Sequence, residues 1–499
     1  MQEIMDKLIL VGSKISGDSI QGSLGKPEYS YYFLMRDFIP ALQRLGTVVE
    51  VSTLEEVDEL FERHDALGRE VVFLSFSPPQ QTPLGLRCPT VAVFAWEFDS
   101  LPSVAWDSNP QNDWRYAFAR MSGAISTSRE AAALVEEAAG ARFPVVALPA
   151  PVWDRHAGLG SPEGVPLSLG DRQFSFRGVV IDSPILGLSA DGLVRKPEPV
   201  PAELPADPEP VQVVEGRFAQ SWQLSKALLR GWWAEVRQPL QPACEAEHAV
   251  EASSVKSPPE REEEPARSIR VDGVVYTTIL NPADSRKNWV ELITAFCWAF
   301  KETEDATLIV KMTHHDLEYY RIVLMTLLSR LAPFRCRVLV LHGFLEDSQY
   351  RELIDASTYY VNASSGEGLC LPLMEFLSAG RPAIAPVHTA MADYVDERLA
   401  FLLKCSPEPF CWPHDPTGIF MTHRHRLNWQ SLMEAYKTSY EVATADPWRY
   451  RQMSAHAFAK MRAFASVEAV AAPLDEFLEK IMKEPVRQVG RQLDRSSAP

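Results

Sequence analysis

The segment from Asn362 to Pro386, NASSGEGLCLPLMEFLSAGRPAIAP, has the pattern of a strand exit, a polar loop, a helix and a second strand. Pro372 stands where an apolar helical pattern opens, and Gly380 stands where that pattern ends. Pro is favoured in the first turn of a helix and Gly just past its last turn. A strand, a Gly-containing loop, a helix and a strand together make half of a doubly wound parallel sheet. The pattern therefore predicts an α/β fold.

The same loop has the chemistry of an anion site with two carboxylates beside it. A helix N-terminus favours phosphate because its unpaired N–H groups and its dipole both point at the anion. Glu367 and Glu375 would repel a bare phosphate, so they make more sense as acceptors for the hydroxyls of a sugar and a ribose attached to it. The backbone N–H groups that would face the anion belong to Gly368, Leu369, Cys370 and Leu371.

The motif Glu-Gly-Leu-Cys-Leu-Pro-Leu-Met-Glu, residues 367–375, resembles the E-x7-E signature of retaining GT-B glycosyltransferases of the family 4 type. Residues 379–382, Ala-Gly-Arg-Pro, are similar to the A-x-G-x-P sequence of that family. The chain departs from the pattern at Cys370, where the family usually has Gly. The alternative is an ordinary loop with two surface carboxylates. The resemblance implies a GT-B fold, in which two Rossmann-like domains face each other across a cleft.

A pair of basic residues follows the strand predicted from Val274 to Leu280. Arg286 and Lys287 lie just before an apolar helical pattern, where they could hold a diphosphate, Arg with forked hydrogen bonds and Lys with a compact charge. They resemble the R-x-x-K element of the family, although here the two residues are adjacent. The alternative is a solvated basic helix start.

Two further stretches could contact the sugar or the acceptor. Trp96 and Glu97 directly follow a predicted strand, and residues past a strand's carboxyl end line the ligand crevice of an open α/β sheet. Gly22 and Gly25 belong to the Gly- and Ser-rich loop after the first predicted strand. The alternatives are a structural Trp with a solvated Glu, and a flexible surface loop.

The composition limits the classes of protein that the chain can belong to. Its 499 residues are too many for one core, so two domains with an insertion are expected. The net charge of −17 argues against nucleic-acid binding, which needs a basic face. The seven Cys residues are scattered without CxxC spacing, and no apolar run is long enough for a membrane span. A cytoplasmic protein is expected.

The chain divides into five predicted parts. Residues 1–154 are an N-terminal Rossmann-like acceptor domain, and 155–267 are a Pro-rich, acidic insertion predicted to be partly disordered. Residues 268–445 are the nucleotide-sugar donor domain, 446–482 are helices crossing back to the N-domain, and 483–499 are a tail. Within the insertion, SWQLSKALLRGWWAEV predicts an amphipathic helix with Trp222, Trp232 and Trp233. That helix could pack on its own protein, or bind a partner or the inner membrane face.

The resemblance implies transfer of a hexose from a nucleotide diphosphate sugar to the hydroxyl of a glycan, lipid-linked or other acceptor, with retention. It assigns Glu367 to the sugar hydroxyls, Glu375 to the ribose, and Lys287 and Arg286 to the diphosphate. No cofactor and no metal are expected, and no protein nucleophile is assigned. Polysaccharide or glycoconjugate biosynthesis is the expected setting. The alternatives are a non-catalytic glycosyltransferase-like scaffold and another GT-B enzyme, such as a sugar-nucleotide epimerase.

Overall fold

The computed structural model describes residues 7–14, 29–186 and 266–483, apart from His315, Pro413, His414, Pro416, Thr417 and Ile419. Gly22 and Gly25 lie outside the described residues, and so does the predicted helix with Trp222, Trp232 and Trp233. Within the described ranges, no helix is both long enough and apolar enough to cross a membrane.

The N-terminal half contains a six-stranded parallel sheet. Its strands are β1 (Leu8–Ser13), β2 (Thr47–Glu50), β3 (Val71–Phe76), β4 (Thr90–Phe94), β5 (Gly123–Ser126) and β6 (Val145–Ala147). Their order across the sheet is β2-β1-β3-β4-β5-β6, and every neighbouring pair is parallel. Every residue of β3 and β4 is buried, so both faces of the sheet are covered, as is usual for parallel sheets.

Within the described residues this half has five α-helices, and three of them begin at a capping side chain. The five are α1 (Tyr29–Gln43), α2 (Leu54–Asp65), α3 (Trp114–Phe118), α4 (Arg129–Ala139) and α5 (Trp153–His156). The Thr53 hydroxyl accepts the N–H of Glu56 at the start of α2, and Ser128 accepts the N–H of Ala131 at the start of α4. Such caps satisfy N–H groups that the helix itself leaves unpaired.

Residues 172–182 lie in the segment predicted as an insertion, and they form two strands, β7 (Arg172–Phe176) and β8 (Val179–Asp182). β7 pairs antiparallel with β9 (Arg267–Val271), and β8 pairs antiparallel with a strand of the second sheet. Regular structure therefore continues past residue 154 and resumes at 267. The domain boundaries given above stay predictions.

The C-terminal half contains a seven-stranded sheet. Besides β8 it consists of β10 (Val274–Leu280), β11 (Ala306–Met312), β12 (Arg337–His342), β13 (Tyr359–Val361), β14 (Ala383–Pro386) and β15 (Ala400–Leu403). The order is β15-β14-β13-β10-β11-β12-β8, and only the pairing of β12 with β8 is antiparallel. A separate antiparallel pair, β16 (Cys405–Cys411) and β17 (Met421–Leu427), follows β15.

Two groups of helices belong to this half. Those between the strands are α6 (Trp289–Ala299), α7 (Leu317–Leu331), α8 (Asp347–Ala356) and α9 (Leu371–Ser378). Those after β17 are α10 (Trp429–Ala445), α11 (Pro447–Ala465) and α12 (Val467–Lys483).

The last helix lies against the first sheet. Ile481 of α12 is so close to β5 that a Cβ at Gly123 would lie 2.6 Å from its side chain. Lys7 Nζ, beside the start of β1, forms an ion pair with Asp475 of the same helix at 2.5 Å. The two sheets thus belong to one compact unit. The predicted fold class, α/β with two Rossmann-like sheets facing across a cleft, is confirmed.

Candidate active site

A cleft of about 1,080 Å³ lies between the two sheets and is lined by residues from both halves of the chain. Trp96 and Glu97 line it from the end of β4, while Lys287 and Glu367 line it from the second sheet. Ligand pockets in proteins usually measure about 300–1,000 Å³, so the cleft can hold one large ligand or two smaller ones.

The loop from Gly366 to Cys370 touches the backbone that leaves β4. A Cβ at Gly366 would lie 2.9 Å from the carbonyl oxygen of Glu97, and one at Gly368 would lie 2.8 Å from the amide nitrogen of Trp96. Thr127 Oγ1, after β5, also donates a hydrogen bond of 2.6 Å to the Gly368 carbonyl. Both glycines are therefore needed for the close approach of the two halves.

Cys370 stands where the family pattern has Gly, and it has the backbone conformation that Gly adopts most readily. Its φ is +65°, and it caps α9. Its thiol is buried and lies 2.9 Å from Nδ2 of Asn362. Burial and the charge of Glu367 raise the pKa of Cys370 to about 12, so the residue carries no thiolate at neutral pH. Cys370 in place of Gly therefore keeps the left-handed backbone conformation at this position of the loop.

Glu367 is a buried carboxylate held by hydrogen bonds from four side chains, and its exposed fraction is 3%. Lys287 Nζ lies 2.6 Å from Oε1, and Arg286 Nη1 lies 3.0 Å from Oε2. The Ser364 hydroxyl donates to Oε1 at 2.6 Å, and Asn362 Nδ2 donates to it at 3.2 Å. The carboxylate is therefore fixed in one orientation.

These contacts decide the ionisation of Glu367. Burial alone would raise the pKa of Glu367, but the charges of Lys287 and Arg286 and their hydrogen bonds lower it far below its ordinary value. The carboxylate is accordingly ionised throughout the physiological pH range. A group in this state can accept hydrogen bonds and stabilise a cation, but it cannot serve as a general acid.

Arg286 joins three carboxylates and does not project freely into the cleft. Its Nε lies 2.9 Å from Asp284 Oδ2 and 3.4 Å from Glu97 Oε1, and its Nη1 also donates to the Gly366 carbonyl at 2.7 Å. Burial would lower the pKa of Arg286, but the surrounding carboxylates raise it, so the group stays cationic. Much of its hydrogen-bonding capacity is already used within the protein.

Glu375, on α9, belongs to a second charged cluster in the same cleft. The Tyr350 hydroxyl donates to its Oε2 at 2.5 Å, while Arg155 Nη1 and His156 Nε2 lie 3.9 and 3.6 Å from Oε1. Burial would raise the pKa of Glu375, whereas His156, Arg155 and the Tyr350 hydroxyl lower it below its ordinary value. A second ionised carboxylate is therefore available to accept hydrogen bonds from hydroxyl groups.

Arg155 is shared by that cluster and by α1. Its Nη1 donates to Asp37 at 3.1 Å, and its Nη2 donates to Asp347 at 2.8 Å. Burial, with the charge of Glu375, raises the pKa of Asp37 to about 6. Sequence reasoning missed Arg155 because it lies far from Glu375 along the chain, and only the end of β6 brings the two together.

Trp96 and Glu97 lie on the wall of the cleft formed by the first sheet. The Trp96 ring packs against Trp114 and Trp412, with centroids 4.5 and 5.8 Å away, and its N–H already donates to the Ser100 carbonyl at 2.8 Å. Only the ring surface of Trp96 is left for a ligand. The Glu97 carboxylate, like that of Glu367, contacts the Arg286 guanidinium.

Sequence reasoning missed the β16–β17 pair, which brings further side chains to the cleft. Phe410, Trp412 and Arg424 line it, and the Arg424 guanidinium lies over the Phe410 ring at 4.5 Å. Asp99 fixes the pair to the first sheet by accepting from the Thr422 hydroxyl at 2.8 Å. The sequence of these strands has no regular alternation that would reveal them.

Lys311, on β11, also lines the cleft and was missed. A signal was present, because an isolated Lys interrupts the otherwise apolar end of the strand, ATLIVKM. A charged residue in a buried parallel strand calls for an explanation, since lysine is almost never buried without a partner.

Among the described residues, no group of three or more His, Cys, Asp and Glu side chains is arranged to hold a metal ion. No protein-family model matches the chain, and no curated protein does.

Solved structures similar to this chain include three proteins of low sequence identity. Anabaena HepE in complex with UDP and glucose is 13% identical, with 95% of this chain and 99% of that chain covered and a TM-score of 0.46. A glycosyltransferase from Rickettsia africae is 10% identical, over 96% and 99%, with a TM-score of 0.46. Sucrose-phosphate synthase from Thermosynechococcus elongatus is 12% identical, over 95% and 99%, with a TM-score of 0.44.

Proposed function

We propose that the protein is a retaining glycosyltransferase that moves a hexose from a nucleotide diphosphate sugar to an acceptor hydroxyl, without a metal ion, in polysaccharide or glycoconjugate biosynthesis. The observation that carries this proposal is the ionised Glu367, held between Lys287 and Arg286 in a cleft that also contains Glu375. The same residues form the motifs on which the resemblance to family 4 rests.

The leaving diphosphate gathers negative charge as the glycosidic bond breaks, so fixed donors should face it. Lys287 supplies a charge, and the N–H groups of the loop before α9 supply dipoles. No hydrogen bond to a protein acceptor uses these N–H groups within the described part of the chain. They belong to Gly368, Leu369, Cys370 and Leu371.

The sugar must be oriented, and its anomeric centre becomes cation-like in the transition state. Glu367 is a fixed acceptor for the sugar hydroxyls, and its charge favours the developing cation. Glu375 is the acceptor that we assign to the ribose of the donor. We assign no protein nucleophile, and the leaving phosphate itself accepts the proton of the acceptor hydroxyl.

The tryptophans that line the cleft on the side of the first sheet suit an acceptor with a flat apolar face, such as a sugar ring. Trp106 and Trp412 pack with centroids 4.9 Å apart, and both line the cleft on the side of the first sheet. We place the acceptor there, beside Glu97.

The test is the breakdown of nucleotide sugars, followed by 1H NMR. The wild type should release or transfer the sugar of one donor, and the first product should keep the anomeric configuration of that donor. Glu367→Gln and Lys287→Met should each reduce turnover at least tenfold, whereas Glu441→Gln, an exposed carboxylate on α10, should leave it unchanged. Unaltered turnover in both site variants would remove Glu367 and Lys287 from the mechanism. The absence of turnover with every donor, in a folded protein, would favour a scaffold.

A further inference from the structure

Lys311 is a buried lysine at the end of a strand that opens into the cleft. It is the second-last residue of β11, and its strand neighbours in register are Ile279 on β10 and Leu341 on β12. Its exposed fraction is 4%, and its side chain lines the cleft. Its neighbours on both adjacent strands are therefore apolar, and the cleft is where its amino group can meet a polar ligand.

Nothing within the described residues balances the charge of Lys311. Within this part of the chain its Nζ forms no ion pair and no hydrogen bond, and burial is the sole cause of the shift in its pKa. Lys287, by contrast, lies 2.6 Å from a carboxylate oxygen. Because a buried charge is expensive unless it is paired, a lysine in this position is suited to pair with an anion that enters the cleft.

The charge around Arg286 shows why a further cation is needed in the cleft. Two cations, Arg286 and Lys287, contact three carboxylates, so the cluster has one negative charge in excess. The carboxylates are those of Glu97, Asp284 and Glu367. A diphosphate that approached this cluster would not meet a net positive charge. Lys311 offers a positive charge that no carboxylate of the described residues neutralises.

We propose that Lys311 binds the phosphate groups of the donor and supplies the uncompensated positive charge that the Arg286–Lys287 cluster lacks. This inference rests on the proposed function, since a nucleotide diphosphate sugar is the ligand that would bring these phosphates into the cleft.

The burial of Lys311 gives the interaction a measurable signature. Burial lowers the pKa of Lys311 to about 7, so most of its molecules are neutral at pH 8 in the empty cleft. A bound phosphate favours the charged form, and binding at pH 8 should take up about one proton. His342 on β12 interacts electrostatically with Lys311. The charged and titratable groups on the neighbouring walls of the cleft include Asp284, Arg286 and Lys287 after β10, and Asp347 and Tyr350 on α8.

The experiment is isothermal titration calorimetry at pH 8 in two buffers of different ionisation enthalpy. The probes are inorganic pyrophosphate, UDP, GDP, ADP and dTDP, each with the wild type, Lys311→Met and Lys437→Met. Lys437 is an exposed lysine on α10 and serves as the control. Lys311→Met should bind the preferred probe at least tenfold more weakly and should lose the proton uptake, while Lys437→Met should match the wild type.

Equal affinity and equal proton uptake in wild type and Lys311→Met would overturn the inference. Binding of pyrophosphate with the predicted loss in Lys311→Met, but of no nucleotide, would support the inference and contradict the proposed function. The absence of binding by any probe would overturn both. If Lys311→Met does not fold, wild-type affinity measured from pH 7.5 to 9.5 should fall as the free lysine loses its proton, and a flat profile would overturn the inference.

Discussion

Glu367 keeps its negative charge inside the protein because two cations and two neutral donors surround it. The contacts come from sequence positions about 80 residues apart, since Arg286 and Lys287 follow β10 while Glu367 follows β13. These strands are neighbours in the sheet, so their carboxyl ends lie side by side. The ion pairs are thus a direct result of strand order.

The loss of the Glu367 charge should destabilise the fold as well as the proposed reaction. Glu367→Gln leaves the half-buried Lys287 without its close partner, and breaking an ion pair costs up to about 3–5 kcal/mol when the pair is buried. Urea unfolding should show a loss of that size. In the double variant Glu367→Gln/Lys287→Met the loss should be smaller than the sum of the two single losses, because the unpaired charge is gone. If the loss in the double variant equals the sum of the two single losses, the interaction between Glu367 and Lys287 contributes nothing to stability.

The sequence pointed to several of these residues but could not show how they are used. The spacing of Glu367 and Glu375 and the position of Lys287 could be noted from the chain alone. The contacts of Arg286 with Glu97 and Asp284 could not, because they depend on the packing of the loop after β4 against the loop after β10. Lys311 was overlooked because a Lys near the end of an apolar strand is also expected where an ordinary strand reaches solvent.

Elements with continuous apolar runs were predictable from the chain alone. β10 was predicted from Val274 to Leu280 and is found there, because its seven residues are nearly all buried and β-branched or aromatic residues dominate it. The β16–β17 pair was not predicted. Its strands, CSPEPFC and MTHRHRL, are polar and mostly exposed, so contacts with the first sheet and not local pattern hold them in place.

A single aromatic side chain should account for much of the attachment of this pair. Trp412 is 3% exposed and packs between Trp96 and Trp106, so Trp412→Ala should lower the free energy of unfolding by about 3–5 kcal/mol. Hydrogen exchange in β16 and β17 should rise at the same time. Trp448 is 71% exposed, and Trp448→Ala should change stability by less than about 0.5 kcal/mol. Equal effects in the two variants would contradict this packing.

The loop before α9 depends on the absence of a side chain at Gly368. Gly368→Ala places a methyl group 2.8 Å from the Trp96 amide nitrogen, and the backbone must move to relieve the clash. We expect a loss of about 1–3 kcal/mol in thermal or urea unfolding, and weaker binding of any ligand in the cleft. Gly170→Ala has no atom within 4 Å of the added methyl, so it should be neutral or slightly stabilising. A neutral Gly368→Ala would refute the close approach.

At the scale of the whole molecule, the two sheets act as one unit because the chain crosses between them more than once. α12 covers the first sheet after the second is complete, and the Gly366–Cys370 loop contacts the exit of β4. Asp99 and the β16–β17 pair form a further link. The class of fold could be predicted from one motif, but these links join distant parts of the chain and have no local sequence signal.

The buried Lys311 should leave a trace in the pH dependence of global stability. Its folded pKa is about 7, below the value of about 10.4 in an unfolded chain. Between these values the unfolded state holds a proton that the folded state has lost, so the contribution of Lys311 to the unfolding free energy rises with pH. From pH 7 to 9.5, the wild type should gain stability relative to Lys311→Met, by about 3 kcal/mol. A constant difference between the two proteins, measured by urea unfolding, would mean that Lys311 is not buried as a free amine.

The central claim is that the cleft binds the nucleotide diphosphate of a sugar donor, and a thermal-shift panel tests it most directly. GDP-, UDP-, ADP- and dTDP-sugars would be compared with and without EDTA, on the wild type, Glu375→Gln and Glu441→Gln. A ligand at about a hundred times its Kd adds about 2.7 kcal/mol of stability, which is readily measured. We predict a shift with one nucleotide class that is insensitive to EDTA, retained in Glu441→Gln and lost in Glu375→Gln. The absence of a shift with every donor, or an equal shift in Glu375→Gln, would contradict the account.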